Sequence, residues 1–186
     1  MNASATSPSI IIMGVCGAGK SAIGAALAKH INRPFVEADD FHSTSNRTKM
    51  TNGIALTDAD RTPWLEAVAK TALAANDGIN PVIACSALKR SYRELLSTQL
   101  SGALFIHLSA DRNILAERLQ ARKSHFVGVA LLESQLASLE PLAKEENGIT
   151  LDCNQPLTTI IEQIVTYLDN AHKNGLRVNV SQQFTG

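Results

Sequence analysis

"SIIIMGVCGAGKSAIGAALAKHI", residues 9–31, decides the fold. Its opening, Ser9 to Met13, is an unbroken apolar run that stops at Gly14, as a strand buried on both faces does. Its end places Ile23, Leu27 and Ile31 on one face of a helix. Between them, "GVCGAGKS" (14–21) fits G-x-x-x-x-G-K-[ST], and a strand before with a helix after is the context that pattern requires. Such a loop turns backbone N–H groups inward onto phosphate oxygens. Gly14, Gly17 and Gly19 leave room for the approach, with the small Ala18 among them. The helix N-terminus adds positive potential. Lys20 is expected to reach the β- and γ-phosphates and Ser21 to offer an oxygen to Mg²⁺, so ATP and Mg²⁺ are the expected cofactors. Cys16 stands near the helix start, where a thiol can be acidified, but the plainer reading is a small residue at a variable position.

Working outward, short apolar runs alternate with helical patterns. "PFVEA" (34–38), "PVIAC" (81–85), "ALFIHLS" (103–109) and "GITLDC" (148–153) read as strands. Helical spacing covers 58–76, 89–100, 111–123 and 129–140, and 156–172 with Pro156 at its start. Alternating βα units predict an α/β fold: a five-stranded parallel sheet in a three-layer arrangement with helices on both faces. One domain is expected over 9–172, with a disordered tail at 1–8 and a loose one at 173–186.

The chain has 186 residues, 45% of them hydrophobic, enough for one buried core. Its 17 basic residues balance 17 acidic ones, which argues against nucleic acid or a membrane surface as partner. No apolar run approaches the roughly 20 residues that span a bilayer. The start, "MNASATSPS", does not read as a secretory signal. The three cysteines are scattered without a CxxC pair, which disfavours a disulfide framework or zinc site and fits a reducing cytoplasm.

The loop pattern alone does not choose among nucleotide-binding proteins. A GTPase would carry N-K-x-D, and a large ATPase usually has a strand ending in Asp, whereas strand three here ends "VIACSALK". These absences point to a small-molecule kinase. Strand two is expected to lie beside the phosphate-loop strand in such a sheet, its C-terminal end facing the phosphates, where ligands bind. There "VEADDFHSTSNRTKM" (36–50) packs charge into what reads as an irregular segment. Glu37 and Asp39 alternate by two, so on an extended chain they point the same way. Asp39 is then placed to accept a hydroxyl proton and Glu37 to hold a metal-bound water. His42, Lys49 and Arg61 suit an acceptor that is polyhydroxylated and negatively charged. A solvated face is the preferred reading for Arg47, Asp58 and Asp60, and a core position for Trp64.

"GVCGAGKS", "ADDFHSTSNRTKMTNGIALTDADRTPWL", "CSALKRSYRELL" and "RLQARKSHFVGVALLESQLASLE" together resemble the gluconokinases, small P-loop carbohydrate kinases, over about residues 10–168. The resemblance implies ATP-dependent phosphorylation of D-gluconate at its 6-hydroxyl, in a cytoplasmic homodimer, feeding the pentose phosphate and Entner–Doudoroff pathways. It implies Asp39 as base, an acceptor region at about 38–64 containing His42, Lys49 and Arg61, and Lys89 and Arg93 as a basic pair near the acceptor or the transferring phosphate. It further implies a mobile lid at about 118–130 with Arg118, Arg122 and His125, a polar substrate contact at Gln135, and an adenine cradle near Asp152 and Pro156. Two arginines four apart share a helix face, and a guanidinium meets two phosphoryl oxygens at once. The sequence departs from the family pattern at Glu37 for Asp, Ala38 for Gly, Ser43 for Pro and Gly128 for Pro, and the Ala38 methyl is the one expected to press on the substrate. A shikimate kinase is disfavoured because it would show a Gly-rich loop where "CSALK" stands. A non-catalytic ATP-binding regulator is disfavoured by the intact Lys20, Asp39, Arg118 and Arg122.

Overall fold

The structure, a computed structural model, describes residues 7–74, 79–121 and 125–173. Strands β1 (Ser9–Met13), β2 (Phe35–Glu37), β3 (Val82–Ala84), β4 (Ala103–Ser109) and β5 (Gly148–Asp152) form one parallel sheet in the order β2-β3-β1-β4-β5. The helices are α1 (Lys20–His30), α2 (Thr44–Thr51), α3 (Asp58–Ala74), α4 (Arg90–Gln99), α5 (Arg112–Gln120), α6 (His125–Ser138) and α7 (Leu157–Lys173). This is the α/β architecture expected from the alternation of strand and helix patterns.

Strand β1 sits at the centre and is buried along its whole length. Side chains alternate across a strand. Ile10 and Ile12 therefore join the core under α1, α5 and α7, while Ile11 and Met13 join Trp64, Leu65, Val68 and Leu96 of α3 and α4 on the other face. Two apolar layers from one five-residue run explain why it carries no polar side chain after Ser9.

Helix α2 is missing from the sequence reading, which leaves 43–52 irregular. Its mean composition is polar, with Met50 its one large apolar residue, so no apolar stripe announces it. It is held by local bonds instead. Ser43 caps it by accepting from the Asn46 N–H at 3.1 Å, the Thr48 and Thr51 hydroxyls bond back one turn, and Asn46 Nδ2 donates to Asp60 O at 2.9 Å. Ser43, a departure from the family's Pro, thus starts a helix.

The tails also need correction where they are described. Ser7 and Pro8 are tied down, Ser7 O accepting from Asn80 Nδ2 at 2.6 Å and Pro8 O from an Arg33 N–H at 2.9 Å. Lys173 closes α7. The rest of both tails, 1–6 and 174–186, lies outside the described residues.

Arg93 is not at the acceptor. Its side chain is 1% exposed and clasps Glu146 through two bonds of 2.5 and 2.9 Å. Its remaining donors reach the carbonyls of Ala87, Leu88, Glu140 and Pro141. One guanidinium thereby fixes the β3–α4 loop, including Ala87 at the unfavourable φ of 42°, and the segment leading into β5. The tempting reading of "KRSYR" as a basic pair fails because Glu146 arrives from 53 residues away. Arg93→Ala is expected to lower the unfolding free energy by about 3–5 kcal/mol, because it takes the charged partner from the half-buried Glu146 carboxylate and the donor from four carbonyls. Urea unfolding measures this, and a loss below about 1 kcal/mol would show that Glu146 finds water instead.

Candidate functional site

The loop between β1 and α1 forms a bowl lined by Cys16, Gly17, Gly19, Lys20, Ser21, Ala22 and Asp39. Gly19 caps α1 in the left-handed conformation, φ 91°, and no side chain caps the helix, so its first amides stay open to an anion. Lys20 arches back over the loop, its Nζ donating to Val15 O at 3.0 Å. Gly14 and Ala18 do not line this bowl. The Gly14 N–H bonds Ser86 O at 3.3 Å and the Ala18 N–H closes a turn on Val15 O at 3.3 Å. Gly14 is needed for another reason: a Cβ there would meet the Leu108 carbonyl oxygen at 2.6 Å. Of the residues expected to cradle phosphate, Gly17, Gly19, Lys20 and Ser21 line the bowl.

A second cavity opens from the same place, lined by Cys16, Lys20, Asp39, His42, Met50, Leu56, Arg61, Ser86, Leu131 and Gln135. Asp39 borders both spaces. The alternation argument that paired it with Glu37 does not hold, because β2 ends at Glu37 and Ala38–Phe41 is a 3₁₀ turn. Glu37 is half-buried and lines neither space. The hard oxygens at the bowl are the Ser21 hydroxyl and the Asp39 carboxylate. Among the described residues, no group of three or more His, Cys, Asp or Glu could hold a metal alone. That donor set fits Mg²⁺, which keeps waters and phosphate oxygens and takes few protein ligands.

The turn bearing Asp39 is clamped on three sides. Trp64 Nε1 donates to Ala38 O at 2.7 Å, and its indole stacks on the His42 ring at 4.2 Å and 17°. Arg47 donates to the carbonyls of His42 at 3.0 Å and Asp40 at 2.6 Å. Trp64 is a core residue and Arg47 is exposed, both as expected, and Arg47 is a clasp as well. The Ala38 methyl is fully buried among Val36, Trp64 and Leu65, so it does not press on a substrate. Burial pulls the His42 pKa below its ordinary value. Asp39 opposes that shift, and Arg61 and Arg47 reinforce it.

The two lysines expected at the acceptor are paired elsewhere. Lys49 Nζ bonds both Asp60 oxygens at 2.7 and 2.9 Å. Lys89 Nζ bonds both Asp58 oxygens at 2.7 and 2.9 Å, and the Tyr92 hydroxyl donates to the same carboxylate. Neither lysine lines the cavity. Asp58 and Asp60, read from sequence as solvated, are their partners in the first turn of α3. The Asp58 hydrogen bond raises the Lys89 pKa, and Lys89 in turn lowers that of Asp58. Arg61 remains at the cavity, its Nε donating to Leu56 O at 3.4 Å.

Gln135 reaches the phosphate loop, its Oε1 accepting from the Cys16 N–H at 2.7 Å. Arg118 lines neither space. It donates to Cys153 O at 2.9 Å, and at 3.5 Å to Cys153 Sγ and Asn154 Oδ1. It therefore ties α5 to the loop after β5, which Asp152 shapes by accepting from the Asn154 N–H at 2.8 Å. Pro156 is exposed and its carbonyl accepts from the Ile160 N–H at the start of α7. Arg122 lies outside the described residues; His125 begins α6, and its side chain lies outside them too. Sequence reasoning missed Ser86, Met50, Leu56 and Leu131 as lining residues. Ser86 had a usable signal, since it follows β3 at the sheet edge where ligands bind. A further groove holds charges already paired, Arg90 with Glu94 and Glu145, and Arg93 with Glu146.

Comparison with known proteins agrees with this geometry. A family model described as shikimate kinase matches residues 16–169. The chain is 42% identical over 170 residues to a probable gluconokinase of Dictyostelium discoideum, covering 86% of this chain and 85% of that protein. It is 40% identical to a gluconokinase of Arabidopsis thaliana, covering 86% and 94%. It belongs to the gluconokinase family. A crystal structure of a gluconokinase from Sinorhizobium meliloti 1021 superposes with TM-score 0.81 at 39% identity, covering 90% of this chain and 94% of that one. The family's small P-loop kinase fold accounts for the bowl and the cavity beside it.

The Lys49–Asp60 pair gives a pH signature. Asp60 is held down to about 2, first by the Lys49 hydrogen bond and then by Thr57, with which it forms a reciprocal helix cap. A carboxyl held below its unfolded value of ~3.9 stabilises the fold above that pH and loses the effect as pH falls through its folded value. Asp60→Asn is therefore expected to melt below the wild type near neutral pH. Melting curves should converge as pH drops from about 4 towards about 2. A gap that persists at the acid end would assign the loss to the cap alone.

Proposed function

We propose that the protein transfers the γ-phosphoryl of ATP to the 6-hydroxyl of D-gluconate, giving 6-phospho-D-gluconate and ADP. One observation carries this reading: Asp39 borders the phosphate bowl and the acceptor cavity together. A hydroxyl in the cavity then lies between a carboxylate and the end of a triphosphate. Its oxygen attacks the γ-phosphorus, the bond from that phosphorus to the β–γ bridging oxygen breaks, and the proton passes to Asp39 and on to solvent. ADP leaves from the bowl. Lys20 and the amides of Gly17 and Gly19 hold the phosphates, and most of the catalysis is positioning and charge stabilisation. Ser21 would hold Mg²⁺, which when bound neutralises charge on the β- and γ-oxygens.

Arg61 supports an acid rather than a neutral sugar. Among the described residues it is the cation that borders the cavity away from the phosphate loop, and its neighbours Lys49 and Lys89 are committed to Asp60 and Asp58. A guanidinium matches a carboxylate bidentately. The same reading carries a cytoplasmic setting and a homodimer with it, from the family resemblance.

Coupled ADP release with Mg-ATP and a panel of sugar acids, neutral sugars and shikimate tests the reaction. Turnover with D-gluconate that collapses in Asp39→Asn is the expected result. ATP binding without acceptor-dependent turnover would leave a regulator instead. Arg61→Ala is expected to raise the gluconate KM by about 10- to 100-fold, the worth of one charge-assisted hydrogen bond, with the ATP KM near its parent value. An unchanged gluconate KM would move carboxylate recognition elsewhere.

A further inference from the structure

Two histidines are buried in the described chain, and they differ in one respect. His107 on β4 has Nδ1 3.3 Å from the Thr150 hydroxyl. His42 is 6% exposed, and its Nδ1 is buried with no partner at all. A satisfied core histidine needs no further account, whereas an orphaned buried nitrogen does.

The orphan fixes the proton. A neutral imidazole carries one N–H and one lone pair. Burying an unmet N–H costs more than burying an unmet lone pair, because amide-like donors find partners far more consistently than acceptors do. Nδ1 is therefore the bare nitrogen and Nε2 carries the hydrogen. Nε2 faces the Asp39 carboxylate, with Oδ1 at 3.7 Å. Asp39 is 71% exposed on a short side chain, so a small rotation closes that gap to a hydrogen bond. The ring has no such freedom. Trp64 stacks against its face, and Arg47 holds the His42 carbonyl.

We propose that His42 is a positioning residue for the base: a neutral imidazole, protonated at Nε2, whose N–H aims the Asp39 carboxylate at the space between bowl and cavity. This rests on the kinase reading above. The charged groups facing His42 are Asp39, Arg61 and Arg47. The two arginines and the surrounding burial favour the neutral ring, which leaves Asp39 oriented without saturating it by an ion pair.

The test has a structural arm and a kinetic arm. Long-range ¹H–¹⁵N spectra of the ¹⁵N-histidine-labelled full chain at about pH 7 report the tautomer directly. His42 is expected as the neutral Nε2–H form; an imidazolium or an Nδ1–H form overturns the proposal. For kinetics, His42→Phe keeps an aromatic ring on Trp64 and removes both nitrogens. It is expected to lower kcat by about 10²-fold, the cost of a misplaced catalytic group, with both KM values within about threefold. His42→Gln sets an amide N–H near the Nε2 position and should recover part of the loss, while His42→Asn, which mimics Nδ1, should not. A His42→Phe enzyme within threefold of the parent in kcat, or Gln no better than Asn, overturns the positioning role. A wild type inert towards D-gluconate would strike the kinase reading instead, and the spectra would still decide the tautomer.

Discussion

Everything near the site follows from β1 having no solvent face. Four of its residues feed two separate cores, so the strand cannot shift in register without moving both. Where it ends, Gly14 lies against the carbonyl of Leu108 on the neighbouring strand, too close for any side chain. The chain must turn there, at the carboxyl edge of the sheet, and α1 must begin within a few residues. A phosphate bowl is what that turn encloses. Its shape is set by packing on the sheet side before any phosphate is considered.

The acceptor side has a different foundation. It is built from a short 3₁₀ turn and a polar helix, neither of which buries much apolar surface. Trp64 compensates. Its indole contributes a buried hydrogen bond to Ala38 and a stacking face to His42, and so connects the α3 core to the residues that carry chemistry. Asp39 stays exposed while its backbone is fixed. Exposure and rigidity seldom coincide on a loop, and here one buried aromatic residue supplies both.

The strands and most helices were legible because burial on both faces writes itself as "SIIIM" and "ALFIHLS", but the sheet order was not: strand two was expected beside the phosphate-loop strand, and β3 lies between β2 and β1. The phosphate loop was legible because its spelling is set by backbone geometry. Helix α2 was not, since side-chain caps rather than an apolar stripe hold it. Asp39, His42, Arg61 and Gln135 were brought together by the fold, all of them lining one cavity. Lys49, Lys89 and Arg93 were not, for one shared reason. A cation's partner is chosen in three dimensions, and Asp60, Asp58 and Glu146 lie 11, 31 and 53 residues away. Arg118 went astray likewise, its carbonyl partner lying 35 residues on. Sequence shows which residues carry charge, and only the fold shows which charges are already spent.

The bond from the Cys16 N–H to Gln135 has a thermodynamic meaning. An amide has a single hydrogen, so an anion that takes it must first displace the glutamine. An anion that took that hydrogen would compete with Gln135 of α6 for it, and linkage would make such a competition mutual. Two segments 119 residues apart in the chain thus meet at one backbone hydrogen.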